Sequence, residues 1–261
     1  MEPERLCPVQ ANHCTTQLRI GEHINMRFSL PKLRKLTRLD LLVLTVVLFI
    51  GIVHLPFPFS SDQSLFVIGA RKLSHGGVLY RDFWDLKPPG VYLFYLIGGM
   101  VFGFTEVGIH TFELLYMIAF AVSTVLLLEE HFENRSVCSL IPLLTVGLYY
   151  AISWSWHLTQ VEALVGVPIF LSLCFSIRSS YGHENPSTKL FLSGLTGGVA
   201  VSFKLLFLPI LIGFWVTCLR AVVIRRERPF RSCLTRFAVP LTAGLLVHFC
   251  RSWLILLGTE N

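Results

Sequence analysis

The sequence predicts an all-α protein that crosses a membrane several times, a polytopic helical bundle, and three observations support this. Of the 261 residues, 53% are hydrophobic and only 15% are charged, whereas an ordinary soluble domain carries about 25% charged residues. The mean hydropathy is +0.64. The apolar residues also lie in long runs near the length of a membrane-spanning helix, about 20 residues. Soluble enzymes, disordered regulators and disulfide-stapled secreted modules are therefore excluded.

Eight apolar segments are candidates for the helices. They are 39–59, 88–104, 107–129, 137–154, 161–177, 188–204, 208–225 and 237–257. The segment 88–104 is short, begins at Pro88-Pro89 and is rich in glycine. Whether it crosses the membrane is therefore inferred from the distribution of basic residues. Lys and Arg collect on the cytoplasmic side of membrane proteins. The basic leader 1–38 therefore places the amino end in the cytoplasm.

The same rule assigns the arginine-rich stretch near residue 228 to the cytoplasm, but only if 88–104 does not cross the membrane. These arginines are Arg220, Arg225, Arg226, Arg228, Arg231 and Arg236. We therefore expect seven spans in the plasma (inner) membrane, with 88–104 as an interfacial or re-entrant helix. The chain divides into the leader 1–38, a membrane core 39–257 and a tail 258–261. The basic residues mark topology, and no nucleic-acid-binding motif accompanies them.

The outer loop 58–106 is too polar and too patterned to be a simple connector. Ser61-Asp62 predicts a helix start, apolar residues follow at helical spacing, and Gly76-Gly77 predict its end. This helix should be amphipathic and lie along the membrane surface. The loop 155–160 and the turn at 204–208 share the same face. The glycine pairs Gly99/Gly103 and Gly194/Gly198 have the GxxxG spacing that permits close helix packing.

Charged residues of these outer segments are candidates for chemistry. Lys87 precedes two prolines that hold the backbone extended, which suits a fixed lipid-phosphate ligand, and a nearby carboxylate such as Asp62 suits a base. Simpler roles stay open as well. Asp62 can cap a helix, and Lys87 and Lys204 can extend to the interface. Asp82 and Asp85 can pair with Arg81; Glu162 can serve as a helix N-terminal charge.

The pattern of Asp62, Gly76-Gly77, Tyr80-Arg81-Asp82 and Asp85-x-Lys87-Pro88-Pro89 resembles the first outer loop of GT-C-fold glycosyltransferases. The branch that it resembles contains protein O-mannosyltransferases and the aminoarabinose transferase of lipid A, the dolichyl-phosphate-mannose-protein mannosyltransferase family. The resemblance covers about residues 38–225. It implies a GT-C-like bundle that transfers a sugar with inversion, on the extracytoplasmic face, from a polyprenyl-phosphate donor to a hydroxyl of a lipid, glycan or protein.

The resemblance also implies roles for particular residues. Asp62 would deprotonate or orient the acceptor hydroxyl, and Lys87 would bind the donor phosphate. Arg81 and Lys204 would assist Lys87, while four further residues would support the site: Asp82, Asp85, Gln160 and Glu162. The resemblance is compatible with a divalent metal but requires no particular cofactor, and no metal-ligand spacing stands out.

The chain departs from the family pattern at Gln63 and Leu86, where relatives often carry acidic residues. Family members are longer and often have an outer C-terminal domain, so we expect the C-terminal part to be missing here. Two other classes therefore stay open. One is a transporter or lipid flippase, although no inverted halves are apparent. The other is an inactive truncated fragment that acts as an assembly subunit.

Overall fold

The computed structural model describes residues 36–132, 134–181, 186–226 and 230–257. Most of the predicted leader, the tail 258–261 and Arg228 lie outside the described residues. Within the described ranges the chain is helical, without strands; its one β-bridge joins Leu79 to Phe83.

Eleven α-helices follow one another through the described residues. They are α1 (Arg38–Val53), α2 (Asp62–Ser74), α3 (Pro89–Phe102), α4 (Glu106–Leu128), α5 (Arg135–Pro142), α6 (Leu148–Ile152), α7 (Val161–Leu164), α8 (Gly166–Tyr181), α9 (Pro186–Phe203), α10 (Leu208–Arg226) and α11 (Phe230–Leu257). A π-helical turn at Leu143–Gly147 joins α5 to α6, and short 3₁₀ turns follow α4 and precede α10.

Five stretches of the described residues are long and apolar enough to cross a membrane. They are Glu106–Leu128, Arg135–Ile152, Val161–Ser180, Leu205–Val223 and Cys233–Cys250. Two other predicted spans correspond to α1 and α9. The helix α1 has only 16 residues, and α9 is diluted by glycine, serine and threonine. The chain is thus a helical protein of membrane-protein character, and seven spans stay a prediction.

The helices α1 and α4 run antiparallel. At one end, a ring nitrogen of His110 in α4 lies 3.2 Å from the carbonyl oxygen of Leu55, just after α1. At the other end, Arg135 lies 3.6 Å from Asp40 at the start of α1 and 3.1 Å from Glu129, just after α4. The segment 54–105 therefore begins and ends at the same end of the bundle. The 14-residue α3 is shorter than a spanning helix of about 20 residues, and an interfacial or re-entrant position of 88–104 stays a prediction.

The helix α2 follows the predicted boundaries. It begins at Asp62 and ends at Ser74, and Gly76 adopts a φ of +81°, which glycine tolerates without strain. Its buried face includes Phe66 and Gly69. A Cβ at Gly69 would lie 2.6 Å from the ring of Tyr92, so this glycine lets α2 lie directly on α3.

Small residues set the packing of α9 against α11. A Cβ at Gly194 would lie 1.9 Å from the carbonyl oxygen of Leu241, and one at Gly244 would lie 2.1 Å from that of Phe191. The close packing predicted from Gly194/Gly198 is confirmed. The other GxxxG pair closes a turn instead: Gly103 ends α3 with a φ of +92°, and the ring of Phe104 fills the space beside Gly99.

Candidate functional site

Asp62 and Lys87 form an ion pair although 25 residues separate them in the chain. Asp62 is the first residue of α2, and Lys87 directly precedes the two prolines at the start of α3. The Lys87 Nζ lies 3.0 Å from the Asp62 Oδ2. The side chains remain 41% and 40% exposed, respectively, so both groups are available to a ligand. The structure therefore brings together the two residues that the sequence singled out first.

A second ion pair lies beside the first. The Lys204 Nζ, just after α9, lies 2.5 Å from the Glu162 Oε1 in α7. Lys87 also interacts electrostatically with Glu162. The two pairs are neighbours because α3 and α9 touch at their ends: a Cβ at Gly90 would lie only 2.7 Å from the backbone carbonyl of Ser202.

The two carboxylates line one open cleft of about 790 Å³, a volume within the usual range of small-molecule sites. The cleft lies at the end of the bundle where α1 ends and α4 begins, which we call the cleft end. Gln160, a predicted site residue, also lines the cleft. Its side-chain amide donates to the Trp156 carbonyl oxygen at 2.9 Å. The lining residues are Ser61, Asp62, Tyr149, Ile152, Ser153, Trp156, His157, Gln160, Glu162 and Ala163.

Arg81 and Asp82 pair with each other and do not line this cleft. The Arg81 Nη2 lies 2.8 Å from the Asp82 Oδ2, which also accepts a hydrogen bond from the Val78 amide at 2.8 Å. These two hydrogen bonds, the one from Arg81 foremost, lower the pKa of Asp82 to about 2. The simpler interpretation of Asp82, as the partner of Arg81, agrees with this geometry.

Asp85 shapes the segment that carries Lys87. It accepts hydrogen bonds from the Tyr92 hydroxyl and, at 2.7 Å, from the Leu86 amide. Tyr80 supports the same segment by donating its hydroxyl to the Lys87 carbonyl oxygen at 2.8 Å. Burial, with a smaller effect of the Asp85 charge, raises the pKa of Tyr80 to about 12, so Tyr80 remains a donor at neutral pH.

Backbone strain collects around the cleft. Among the described residues, three that are not glycine have a positive φ: Ser61 at 51°, Tyr80 at 67° and Thr159 at 51°. Ser61 precedes Asp62, Tyr80 holds Lys87, and Thr159 lies shortly before Glu162. Such conformations cost about 1–3 kcal/mol each and cluster at functional sites. The strain thus points to the same cleft as the ion pairs do.

The sequence analysis missed the role of Gln63. This residue is fully buried, and its side-chain nitrogen donates to the carbonyl oxygens of Ser155, at 2.9 Å, and Leu158. An ionised carboxylate is an acceptor only and could not make these bonds. A glutamine rather than an acidic residue therefore suits this position, for a reason that only the fold reveals.

The role of Glu113 is also not apparent from the predicted motifs. Its side chain is fully buried, unlike that of any other glutamate whose exposure the structure describes. Its Oε1 accepts hydrogen bonds from the Tyr149 hydroxyl at 2.5 Å and the Thr159 amide at 3.0 Å. Its Oε2 accepts one from the Thr159 hydroxyl at 2.6 Å. An ionisable residue inside an apolar span is a signal for function, and that signal was present in the sequence.

No group of three or more His, Cys, Asp or Glu side chains that could hold a metal ion occurs in the described ranges. The site's resources are two carboxylates, two primary ammonium groups and an aromatic wall. Carboxylates can accept a proton from a hydroxyl, and ammonium groups can stabilise an anionic group such as a phosphate.

Comparison with protein-family models, with curated proteins and with solved structures finds no match to this chain. The structure itself shows a helical protein with five helices long and apolar enough to cross a membrane, and a cleft with two carboxylates at one end of the bundle.

Proposed function

We propose that the protein is an integral membrane glycosyltransferase that transfers a sugar from a polyprenyl-phosphate donor to an acceptor hydroxyl. One observation carries the proposal: the half-exposed ion pair of Lys87 with Asp62, of which Asp62 lines a cleft of about 790 Å³. A carboxylate beside an ammonium group supports the proposal, because such a transfer requires a proton acceptor and a cation for the phosphate. The motif in the first outer loop supplies the specific identification as a GT-C-like enzyme.

The proposed reaction is a displacement at the anomeric carbon. Asp62 withdraws the proton of the acceptor hydroxyl, whose oxygen forms a bond to that carbon on the face opposite the leaving group. The bond from the carbon to the phosphate oxygen breaks, and its electron pair leaves with the polyprenyl phosphate. Lys87 stabilises the negative charge of this phosphate, and Lys204 assists from the neighbouring pair. Preorganised charges of this kind stabilise developing charge in a transition state.

In the proposed cycle the donor phosphate takes over Lys87 from Asp62. The ion pair is half exposed, so its separation costs little; exposed pairs contribute about 0.2–1 kcal/mol. Release of Lys87 leaves Asp62 without a counter-charge. The Asp62 oxygens are then free to accept the proton of the acceptor hydroxyl.

Transfer assays test the proposal directly. Membranes that contain the protein receive a radiolabelled polyprenyl-phosphate sugar, and transfer is compared among wild type, Asp62→Asn and Lys87→Ala. We expect each variant to lose at least about 100-fold in rate, the scale of a lost general base or charge-stabilising group. Arg81→Ala and Asp82→Asn are matched controls from the ion pair outside the cleft and should retain transfer.

Equal transfer by all five proteins would refute the assignment of the site. Absence of transfer from wild type with every polyprenyl-phosphate sugar tested would instead favour the transporter or assembly-subunit alternatives. Neither result bears on the existence of the two ion pairs, because these are features of the fold.

The proposal includes an arrangement in the membrane: seven spans, a cytoplasmic amino end and an extracytoplasmic cleft in the plasma membrane. Arg81 and Ser136 are solvent-accessible residues near opposite ends of the bundle. A cysteine at Arg81 should react with an impermeant thiol reagent added outside intact cells, whereas one at Ser136 should not. The chain without the added cysteine gives the background. The reverse labelling pattern would place the cleft on the cytoplasmic side.

A further inference from the structure

We propose that Glu113 and Thr159 are positioning residues that hold the second outer loop, residues 153–160, in one arrangement. This loop connects the supports of the two cleft carboxylates, Asp62 and Glu162, and so fixes where these groups lie relative to each other. The inference rests on the proposed function for its catalytic consequence. Its structural part stands without that function.

Thr159 is the strained point of the loop. Its φ of 51° is a rare conformation for a residue branched at Cβ. Such a conformation persists only when the surroundings impose it, and here they do. Glu113 accepts hydrogen bonds from both the amide and the hydroxyl of Thr159, at 3.0 and 2.6 Å. The Tyr95 hydroxyl donates to the Thr159 carbonyl oxygen at 3.2 Å.

The loop is therefore tied to three helices at neighbouring residues. Glu113 holds it from α4 and Tyr95 from α3, while Gln63 holds it from α2 by donating to the Leu158 carbonyl oxygen. Gln63 directly follows Asp62 in the chain, and Thr159 lies three residues before Glu162. The two carboxylates thus take their positions from one short piece of backbone.

The donors around Glu113 explain why a carboxylate suits this position. Its side chain is fully buried, and a buried carboxylate is tolerated when hydrogen-bond donors surround it. Its two oxygens accept three hydrogen bonds, including one from the Tyr149 hydroxyl at 2.5 Å. Tyr149 itself lines the cleft. Glu113 does not line it, so its influence on the chemistry passes through the loop.

Loss of this support should move the catalytic step more than donor binding. A displacement of about 1 Å in a reacting group can cost about 100-fold in rate, whereas Lys87 is attached to α3 and keeps its place. We therefore expect Glu113→Ala to lower kcat by about 100-fold, with the donor KM changed by less than about threefold. Glu113→Gln keeps one acceptor oxygen, and Thr159→Ser keeps the hydroxyl, so each variant should retain most of the wild-type kcat. Glu106→Ala, on the same helix, is the control.

A distance measurement tests the structural part without any transfer assay. Spin labels are placed at Ile68 on α2 and at Trp154 in the loop, both of which are well exposed and outside the cleft lining. Pulsed electron paramagnetic resonance then gives the distribution of distances between them. Wild type, Thr159→Ser and Glu106→Ala should give one narrow distribution, and Glu113→Ala should give a broad or shifted one.

An unchanged narrow distribution in Glu113→Ala would overturn the inference, whatever the transfer assay shows. A broad distribution with kcat retained would overturn the catalytic part. If wild type transfers no sugar, the proposed function fails, but the distance distributions still decide whether Glu113 and Thr159 fix the loop. If Glu113→Ala does not fold, the pair Thr159→Val and Thr159→Ser gives the same comparison, because only serine keeps the hydroxyl.

Discussion

Each end of the bundle has an aspartate in the first turn of a helix, but the surroundings of these two aspartates differ. Asp62, at the cleft end, is 40% exposed and has one ion-pair partner, Lys87. Asp40, at the opposite end, is 1% exposed. It accepts hydrogen bonds from Ser139 at 2.5 Å and from the Thr37 amide and hydroxyl at 2.7 and 2.6 Å.

This difference separates a structural carboxylate from an available one. The donors of Asp40 occupy its oxygens, and Arg135 adds a further charge at 3.6 Å, so Asp40 ties α1 to α5. Asp62 has Lys87 as its side-chain partner, and the helix start beside it lacks a side-chain cap. A carboxylate that the fold does not use fully is free to act on a ligand.

The largest expected contrast is therefore in stability. Asp40→Ala removes the acceptor of the hydrogen bonds from Ser139 and Thr37, and with it the capping box of α1, which should lower the free energy of unfolding by about 2–3 kcal/mol. Asp62→Ala should lower it by less than about 1 kcal/mol, as expected for an exposed pair. Denaturant unfolding in detergent measures both. Equal losses would mean that the two ends do not differ in this way.

The contact between Gly90 and Ser202 should give the next largest effect. A Cβ at Gly90 would lie 2.7 Å from backbone atoms of Ser202, so Gly90→Ala should cost about 1–3 kcal/mol through overpacking. It should also separate Lys87 from Lys204 and lower donor binding. Gly166→Ala is the matched control, since no atom lies within 4 Å of its added Cβ. A fully stable Gly90→Ala protein would show that α3 and α9 can shift without cost.

A double-mutant cycle on Glu162 and Lys204 should show a smaller effect. Their side chains are 60% and 38% exposed, so the coupling energy should be about 0.2–1 kcal/mol and should fall in high salt. Thermal unfolding of wild type, Glu162→Gln, Lys204→Ala and the double variant measures it. A coupling above about 3 kcal/mol would indicate a buried structural pair and would remove Glu162 from the available groups.

Local signals in the sequence predicted the parts of the fold that depend on local chemistry. Ser61-Asp62 and Gly76-Gly77 gave the limits of α2 correctly, although the start of this helix has no side-chain cap. The distribution of basic residues predicted that 88–104 does not cross the membrane. This prediction requires α1 and α4 to run antiparallel, as they do in the structure. Composition alone does not give the number of spans, since α1 is short and α9 is rich in small residues.

The site was predictable only in part. Asp62, Gln160 and Glu162 line one cleft, and Lys87 and Lys204 pair with its two carboxylates. Arg81 instead pairs with Asp82, and neither residue lines the cleft. The support from Gln63 and Glu113 depends on contacts 95 and 46 residues away in the chain. Sequence periodicity does not predict contacts between such distant residues. An acidic residue inside the predicted span 107–129, Glu113, was nevertheless a signal of a special role.

The smallest effect should come from the exposed pair of Arg81 and Asp82, and its pH dependence tests whether the pair is independent of the cleft. The pKa of Asp82 is lowered to about 2 from an ordinary value of about 3.9. A lowered pKa means that the folded state favours the ionised form, so the pairing stabilises the protein above about pH 4. This contribution should disappear as the pH falls through about 2. The difference in unfolding midpoint between wild type and Asp82→Asn should therefore shrink between pH 4 and pH 2. The Asp82→Asn substitution should leave the pH profile of sugar transfer unchanged, because neither Arg81 nor Asp82 lines the cleft. A change in the transfer profile would connect the Arg81–Asp82 pair to the cleft and weaken the distinction between the available carboxylate and the structural ones.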